Sequence, residues 1–459
     1  MKLSVRRILK AVGGELISGR PEEKVEDFSI DSRNIDGREA FMAIKGRRFD
    51  GHNFIDEAYQ KGVRFFIVSR LKGIKDKTAG SVLIKVADTT SALGQIARLK
   101  RQLCKMPLVA VTGSCGKTTT KDMAAKILST SYKVLKNIGT LNNEFGLPLT
   151  LLRLKEDDEV AVLEMGMNHR GEIKMLNGIA LADVGVITCV HPVHLKHFKD
   201  VSSIARTKWE LIETLKGKKT AVLNNDDKNL KPLFRNFKGK KVTFGIKEKS
   251  DFMAGDIRLR KNKILFKLNG RYEITLNLVG EFNIYNALAA IAVSRFFKIS
   301  YDNIKTSLNG FKPSPMRMER MRVGGVEVIN DAYNANPESV AQAVKTLCAL
   351  PKKGRSIMVC CDMLELGAGS KKFHQEIGRL VAASEVDFLI TLGRDAKFIY
   401  TSALDKGMKK ARATHARTKK EAVEILNKIA RPKDVVLLKG SRLMKAEEIA
   451  RCFINCYTP

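Results

Sequence analysis

The sequence predicts an α/β protein of three domains, in which helices cover largely parallel sheets. Its 459 residues, at roughly 150 residues per domain, correspond to about three domains. Apolar strand candidates alternate with helical patterns along most of the chain, as in a parallel sheet. A hydrophobic fraction of 44% and a charged fraction of 29% are typical of folded globular proteins and argue against disorder.

Residues 1–84 are predicted to form a small N-terminal α/β domain. Short strand and helix patterns alternate there, beginning with an amphipathic helix. The apolar residues of that helix recur at helical spacing, at Val5, Ile8, Leu9 and Val12. We find no apolar run of the ~18–20 residues that a membrane span needs and no apolar signal-peptide core. We therefore expect a cytoplasmic protein without membrane insertion.

Residues 85–312 are predicted to form a central parallel-sheet domain. Its segment VTGSCGKTTT (111–120) has the form of a P-loop, which predicts an ATPase domain. A helix over 91–104 leads into a buried strand at 108–112, and further apolar strands alternate with helices. Residues 251–279 instead alternate apolar and polar side chains, with turn residues at Lys263 and at Asn269–Gly270. That pattern predicts antiparallel hairpins at a sheet edge. A helix over 281–297 and a proline-bearing connector at 311–315 follow.

Residues 313–459 are predicted to form a C-terminal Rossmann-like domain. Four apolar strand candidates occur here, and each is followed by a helical pattern. They are the segments VEVINDA, RSIMVCC, VDFLITL and DVVLLKG.

The chain is strongly basic, with 82 Lys and Arg against 49 Asp and Glu, a formal net charge of +33. Such a charge favours phosphate-rich partners. The basic residues are spread along the chain, and one Trp and eight Tyr offer little base stacking. We therefore expect no nucleic-acid partner, although a basic P-loop NTPase that binds nucleic acid is the alternative from a different class. The eight cysteines lack a CxxC pair, which predicts reduced thiols.

The segment VTGSCGKTTT at 111–120 follows a predicted strand and opens a predicted helix. Its glycines allow backbone N–H groups to point at phosphate oxygens, and the helix N-terminus adds positive potential. A lysine at this position reaches the β- and γ-phosphates, and a threonine hydroxyl binds Mg²⁺. The spacing is shorter than the common GxxxxGK[ST] loop, and a chance GK[ST] is the alternative. The predicted ATP-binding residues are Gly113, Ser114, Gly116, Lys117, Thr118 and Thr119.

Three further features suit a site near the phosphates. Glu164 ends an apolar strand, where a metal-binding carboxylate or a strand-capping glutamate is expected. Another strand is followed by His191, His194 and His197. A zinc site is disfavoured because no Cys or carboxylate lies at a matching interval. We expect instead that one of these histidines binds the metal of the nucleotide. Lys208 lies within an amphipathic helix over 202–215, either as a solvated lysine or as a site residue.

The motifs, taken together and in order, resemble the Mur ligase family, which assembles the peptide stem of bacterial cell-wall precursors and is related to folylpolyglutamate synthases. The resemblance spans essentially the whole chain. Within the family, DSRNIDGREAFMAIKGRRFDGHNF and DAYNANPES (331–339) resemble the member that adds D-alanyl-D-alanine. The matching segments are TGSCGKTTT, NNEFGLP, LEMGMNHRGEI, HLKHF, IARTKWE, GEFNIYNALAA, MRMER, NDAYNANPES, DMLELG and LLKGSR.

This resemblance implies an ATP-dependent amide ligase of peptidoglycan precursor synthesis, working as a cytoplasmic monomer. The implied substrates are UDP-N-acetylmuramoyl-tripeptide, D-alanyl-D-alanine and ATP, with Mg²⁺ as cofactor and an acyl-phosphate intermediate. Another Mur-type ligase or a folylpolyglutamate-type ligase is the alternative within the enzyme class. A domain of about 84 residues ahead of the P-loop argues against the folylpolyglutamate reading.

The resemblance also implies roles for individual residues. Thr118 and Glu164 would hold a first Mg²⁺, and Glu164, His194 and a carbamylated Lys208 a second. The catalytic set is then Lys117, Lys208, His194 and Arg317. For the nucleotide, the implied contacts are Asn283 and Asn286 to adenine, Arg317 to the γ-phosphate and Asp331 to the ribose; a helix-face amide pair is the alternative for Asn283 and Asn286. Tyr333, Asn334 and Asn336 would contact the nucleotide and the dipeptide, and Asn142 and Asn143 a substrate. In the N-terminal substrate domain, Ser32 and Arg33 would contact the uridine diphosphate.

Some positions depart from the family pattern. Cys115 replaces a common Asn or Ser in the loop, and Cys189 stands where Asn is usual. His191 and Cys361 stand where the family usually has glycine.

Overall fold

A computed structural model describes residues 1–46, 48–260, 262–350 and 353–456 and shows an α/β fold with several parallel-rich sheets. The predicted fold class is therefore confirmed. The chain forms two compact units, each assembled from separate stretches. The first unit comprises Met1–Thr112, Ser131–Val186 and Glu210–Ala221, and the second Gly113–Thr130, Ile187–Trp209 and Val222–Pro459. The three domain ranges given above stay a prediction.

The strands of the described residues are short and mostly apolar. In chain order they are β1 Leu3–Ser4, β2 Glu15–Ser18, β3 Lys24–Val25, β4 Asp27–Ser29, β5 Glu39–Met42, β6 Phe65–Val68, β7 Val82–Lys85, β8 Leu108–Thr112, β9 Val134–Lys136, β10 Val160–Glu164, β11 Val184–Ile187, β12 Thr220–Asn224, β13 Lys240–Gly245, β14 Phe252–Arg260, β15 Lys263–Leu268, β16 Tyr272–Leu276, β17 Glu319–Val323, β18 Val326–Asp331, β19 Ser356–Cys361, β20 Phe388–Leu392, β21 Ala413–Ala416 and β22 Val435–Lys439.

Helices alternate with these strands. Within the described ranges, no helix has both the length and the apolar character to cross a membrane. In chain order the helices are α1 Val5–Val12, α2 Ile55–Gln60, α3 Thr89–Leu103, α4 Lys117–Leu128, α5 Gly146–Leu152, α6 Glu172–Ala180, α7 Val201–Glu213, α8 Lys231–Phe234, α9 Phe282–Phe296, α10 Tyr301–Asn309, α11 Pro337–Ala349, α12 Ser370–Ala382, α13 Lys397–Asp405, α14 Lys419–Ile429 and α15 Glu447–Asn455.

The first unit contains a five-stranded sheet in the order β2-β7-β6-β5-β4. Strands β4 to β7 pair in parallel, and β2 runs antiparallel to β7. Buried Phe41 and Phe66 meet edge to face, with ring centroids 6.5 Å apart, and anchor its core. Helix α1 begins at Val5 and ends at Val12, as its apolar spacing predicts.

Strands β11, β8, β10 and β9 lie side by side in that order in the first unit. The pairs β8–β10 and β10–β9 are parallel, as the strand–helix alternation predicts. In this register Glu164 pairs with Val111, one residue before β8 ends. Parallel strands end at the same sheet edge, so Glu164, the last residue of β10, lies at the edge where β8 also ends.

The second unit contains the predicted hairpins. Strand β14 pairs antiparallel with β15, and β15 with β16. Asn269 and Gly270 turn the chain with φ of +50° and +70°, as predicted. The chain also reverses where β14 meets β15, and Lys263, predicted as a turn residue, is the first residue of β15 and pairs with Arg260.

The six-stranded sheet of the second unit has the order β17-β18-β22-β19-β20-β21. All its pairs are parallel except the antiparallel pair β17–β18. Two apolar clusters cover its faces, and neighbouring Val328 and Ile329 belong to different clusters because successive side chains alternate. The four predicted strands are present; β17 and β21 were missed, since both are short and carry polar side chains.

Candidate functional site

The loop between β8 and α4 requires glycine at two positions. Gly113 has φ of +152°, and a Cβ there would lie 1.8 Å from Thr188 Oγ1. Gly116 has φ of +79°, and a Cβ there would lie 2.1 Å from Asn286 Oδ1. Any larger residue would clash at these positions and would also strain the backbone. The loop is therefore closely packed against its neighbours.

Hydrogen bonds from the segment after β11 hold this loop. The Ser114 N–H donates to the Cys189 carbonyl at 2.8 Å. The His191 N–H donates to Ser114 Oγ at 2.9 Å, and Thr188 Oγ1 donates to the Cys115 carbonyl at 2.5 Å. These contacts fix the loop before any ligand arrives, which suits a preorganised anion cradle.

Helix α4 begins at Lys117, immediately after the loop. The first turn of an α-helix leaves backbone N–H groups without partners inside the helix, and these favour an anion. Lys117 Nζ donates to the Gly113 carbonyl at 2.9 Å, so its charge lies over the loop. Thr118 is buried, and Thr119 is half-buried one position further along. This is the geometry of a phosphate-binding helix start.

Arg317 contacts the start of the same helix. Its Nη2 donates to Thr118 Oγ1 at 2.8 Å. The guanidinium also lies over the Tyr333 ring, 4.1 Å from the ring centroid, in a cation–π arrangement. The structure thus brings together Thr118, Arg317 and Tyr333, three residues that the sequence assigned to one site.

Asp331 ends β18 and is held by a lysine that sequence reasoning missed. Buried Lys439, at the end of β22, contacts Asp331 Oδ2 at 2.5 Å and donates to the Asn334 carbonyl at 3.0 Å. The Met318 N–H donates to Asp331 Oδ1 at 3.1 Å. Lys439 lies in the motif LLKGSR, and its position at the end of a parallel strand was the available clue.

Asn336 has two partners. Its Oδ1 accepts from the Ser339 N–H at 2.9 Å and caps helix α11. Its Nδ2 donates to Cys115 Sγ at 3.3 Å. Asn336 therefore links the start of α11 to the phosphate loop, a contact that its predicted nucleotide and dipeptide role did not include.

Asn283 and Asn286 are buried on α9 and bond to each other. Asn286 Nδ2 donates to Asn283 Oδ1 at 3.0 Å, and Asn283 Nδ2 donates to the Val279 carbonyl at 2.8 Å. These contacts favour the helix-face amide pair. Contact with adenine stays a prediction.

Lys208 is almost fully buried, with 2% of its surface exposed. Among the described residues, its side-chain Nζ makes neither a hydrogen bond nor an ion pair. Burial and the nearby charge of Lys117 lower the pKa of Lys208 to about 7. The solvated-lysine alternative is wrong, and the side chain is a neutral amine for much of the time near neutral pH.

His194 adopts a left-handed backbone conformation with φ of +53°. Its Nδ1 lies 2.6 Å from Glu365 Oε2. The main-chain carbonyl of Glu365 accepts a hydrogen bond from the Lys196 N–H at 3.1 Å. The hydrogen bond to His194 lowers the pKa of Glu365. A carboxylate on Nδ1 leaves Nε2 as the ring atom that could bind a metal. Glu365, in DMLELG, was not among the predicted site residues.

The thiols of Cys115 and Cys189 lie close enough to shift the pKa of each other. Cys189 Sγ also lies 3.6 Å from the Cys115 carbonyl oxygen. The contact raises the pKa of the Cys115 thiol and lowers the pKa of Cys189. All eight cysteines of the chain are free.

In the first unit, two asparagines surround Glu164. Asn142 Nδ2 donates to the buried Glu164 Oε1 at 2.7 Å. Asn137 bonds the main chain of Glu164 in both directions, at 2.9 and 3.0 Å. The carboxylate is thus fixed in orientation, and Asn142, predicted to bind substrate, is a neighbour of this carboxylate. Asn143 Oδ1 accepts from the Gly146 N–H at the start of α5, at 3.0 Å.

Ser32 and Arg33 also lie in the first unit. Buried Ser32 donates from Oγ to Glu57 Oε2 at 3.0 Å. Exposed Arg33 forms a two-pronged pair with Asp31 at 2.9 and 2.7 Å, which lowers the pKa of Asp31 to about 2. Their contact with uridine diphosphate stays a prediction.

Three patterns of one protein family match the chain in order. "Mur ligase family, catalytic domain" matches residues 24–101, "Mur ligase middle domain" 111–294, and "Mur ligase, glutamate ligase domain" 316–442. The chain is also 35% identical to a UDP-N-acetylmuramoyl-tripeptide–D-alanyl-D-alanine ligase of Bacillus subtilis, over 99% of both chains. The chain belongs to the Mur ligase family.

Solved structures of other Mur ligases share the fold. MurF from Acinetobacter baumannii superposes with a TM-score of 0.88 at 28% identity, over 99% of both chains. MurF from Thermotoga maritima, solved in complex with ADP, gives 0.83 at 28% identity, over 94% of this Mur ligase and 97% of that chain.

Proposed function

We propose that this Mur ligase joins D-alanyl-D-alanine to UDP-N-acetylmuramoyl-tripeptide, at the cost of one ATP. The observation that carries the proposal is the glycine loop with Lys117 over it and Arg317 hydrogen-bonded to Thr118. End-to-end similarity to a ligase of that name supports the choice of substrates. A role in cytoplasmic peptidoglycan precursor synthesis and a monomeric state are predictions from the same resemblance.

The chemistry requires two anions to approach each other. The terminal carboxylate of the tripeptide attacks the γ-phosphoryl group of ATP, and ADP leaves. The amine of D-alanyl-D-alanine then attacks the acyl phosphate, loses a proton and displaces inorganic phosphate. Lys117 and Arg317 would neutralise the charge on the transferred phosphoryl group, which is the main way proteins accelerate this transfer.

The resemblance implies Mg²⁺ contacts for the hydroxyl of Thr118 and the imidazole of His194 in the second unit, and for the carboxylate of Glu164 in the first. Hydroxyl and carboxylate oxygens are the donors that Mg²⁺ prefers, and a buried carboxylate fixed by Asn142 suits an ion with strict geometry. When bound, Mg²⁺ offsets phosphate charge and orients the triphosphate. Glu365 would hold the His194 ring so that Nε2 is presented.

Carbamylation of Lys208 is part of the proposal. A neutral amine attacks the carbon of CO₂ and loses a proton, which gives an anionic carbamate. The lowered pKa of Lys208 supports this reaction, because the ammonium form has no lone pair to attack with. A carbamate would also attract Lys117, whereas the ammonium repels it. The carbamate oxygens would serve as hard ligands for Mg²⁺.

The proposal is tested by phosphate release with each substrate omitted in turn, together with the mass of the product. Release that needs both the tripeptide nucleotide and the dipeptide supports it. Release that is equal without the dipeptide, or stimulated by nucleic acid, contradicts it. Lys117→Ala should abolish turnover, while Lys126→Ala, an exposed lysine on the same helix α4, should not.

A further inference from the structure

Two thiols meet at the phosphate loop. Cys115 lies in the loop and Cys189 follows β11, and each thiol shifts the pKa of the other. Their main chains are tied by the 2.8 Å bond from the Ser114 N–H to the Cys189 carbonyl. Cys189 Sγ lies 3.6 Å from the Cys115 carbonyl oxygen, so the sulfur of one cysteine lies against the main chain of the other.

The surroundings of this pair suit a reactive site. Both cysteines are half-buried, so a small oxidant can reach them, whereas Cys360 and Cys361 are fully buried. The pKa of the Cys189 thiol is lowered by its contact with Cys115. Partial exposure and a lowered pKa are the two features that make a cysteine react with oxidants. The ligase chemistry described above uses neither sulfur.

We propose that Cys115 and Cys189 form a reversible disulfide when a hydroperoxide is the oxidant, and that this disulfide closes the loop to nucleotide. One sulfur attacks the O–O bond of hydrogen peroxide, becomes a sulfenic acid and releases one water. The second thiol displaces the hydroxyl as another water and forms the S–S bond. Two thiols thus lose two electrons and two protons, and one peroxide yields two waters. A dithiol reverses the reaction.

The disulfide changes the loop in two ways. It removes Cys115 Sγ from the hydrogen bond with Asn336, which caps α11. It also draws Cys115 towards the segment after β11, which moves the loop N–H groups away from the preorganised positions that suit a phosphate. Loss of nucleotide binding follows from the disulfide alone; only the accompanying loss of ligase activity rests on the proposed function.

The test treats the full-length protein with hydrogen peroxide, alkylates the remaining thiols and digests with trypsin. Mass spectrometry should detect peptides 106–117 and 175–196 joined by a disulfide, since each contains one cysteine. Binding of a fluorescent ATP analogue should fall at least tenfold and return after dithiothreitol. Absence of the joined peptides at peroxide levels that abolish binding overturns the proposal, whatever reaction the protein catalyses.

Variants assign the effect to this pair. Cys189→Ser, compared with its own untreated sample, should keep nucleotide binding after peroxide. The double variant Cys452→Ser/Cys456→Ser removes the two exposed thiols and should remain sensitive. Should Cys189→Ser lose binding on oxidation as fully as the native protein, the pair is not the cause. The joined peptides of the native protein decide the question if that variant does not fold.

Discussion

The guanidinium of Arg317 donates to the hydroxyl of Thr118, two residues 199 positions apart in the chain. The contact connects the segment before β17 with the first turn of α4. Tyr333 stacks under the same guanidinium, so the Arg317 side chain is held from two sides. The Arg317 guanidinium is therefore held at the start of α4, the helix for which we propose phosphate binding.

Replacing Arg317 should reduce turnover with little effect on folding. For Arg317→Ala we expect kcat to fall about 100- to 1,000-fold, the usual loss when one preorganised donor to a transition state is removed. Arg317→Lys should recover only part of this, because lysine lacks the planar fork. Steady-state phosphate release measures both. Exposed Arg322 on β17 provides the control, and an equal loss in Arg322→Ala would point to a general effect of charge.

Glu365→Gln should weaken activation by Mg²⁺. The carboxylate holds His194 through a 2.6 Å contact, and loss of such a partner commonly weakens metal binding 10- to 100-fold. The Mg²⁺ concentration for half-maximal phosphate release should rise accordingly. Glu376→Gln, at an exposed position on α12, is the matched control. An unchanged Mg²⁺ dependence would show that Glu365 does not position this histidine for a metal.

Lys208→Ala should be inactive and should regain part of its activity with small carboxylates such as formate or acetate. These anions fit the space of the missing carbamate and supply an equivalent oxygen ligand. Phosphate release with increasing carboxylate concentration measures the rescue. Exposed Lys199→Ala should be fully active without any addition. Full activity of unrescued Lys208→Ala would remove this lysine from the mechanism.

Lys208→Met should stabilise the fold while abolishing turnover. An unpaired buried amine with a pKa near 7 must be desolvated on folding, and methionine avoids that free-energy cost, on the order of 2 kcal/mol. Because the unfolded chain keeps the proton up to about pH 10, native stability rises with pH above 7. The gain in the thermal midpoint should thus be largest below pH 7 and shrink as the pH rises. A gain independent of pH would contradict the lowered pKa.

Local patterns made much of the fold predictable. The sequence VTGSCGKTTT places strand, glycine loop and helix in consecutive residues, so no long-range information is needed to recognise it. The alternation in 251–279 likewise predicted antiparallel strands from neighbours in sequence. Strands β17 and β21 escaped because their short, partly polar segments are stabilised by pairing with distant strands rather than by their own composition.

The contacts that complete the site are long-range. His194 and Glu365 are 171 residues apart, Asp331 and Lys439 are 108 apart, and both pairs depend on how distant strands assemble. Lys439 reaches Asp331 because β18 and β22 are parallel neighbours with these residues in register. Nothing in the local sequence of either residue fixes that register. The motifs identify the segments that carry these residues, but only the structure shows which residues of different segments pair.

The tight fit of Gly113 and Gly116 bears on inhibitor design. A methyl group at either position would collide with Thr188 or Asn286, so even alanine is excluded. A compound that binds the backbone of the loop containing Gly113 and Gly116 would contact residues whose substitution inactivates the enzyme. Resistance would then have to arise elsewhere, by efflux or overproduction, and not by altering the binding surface.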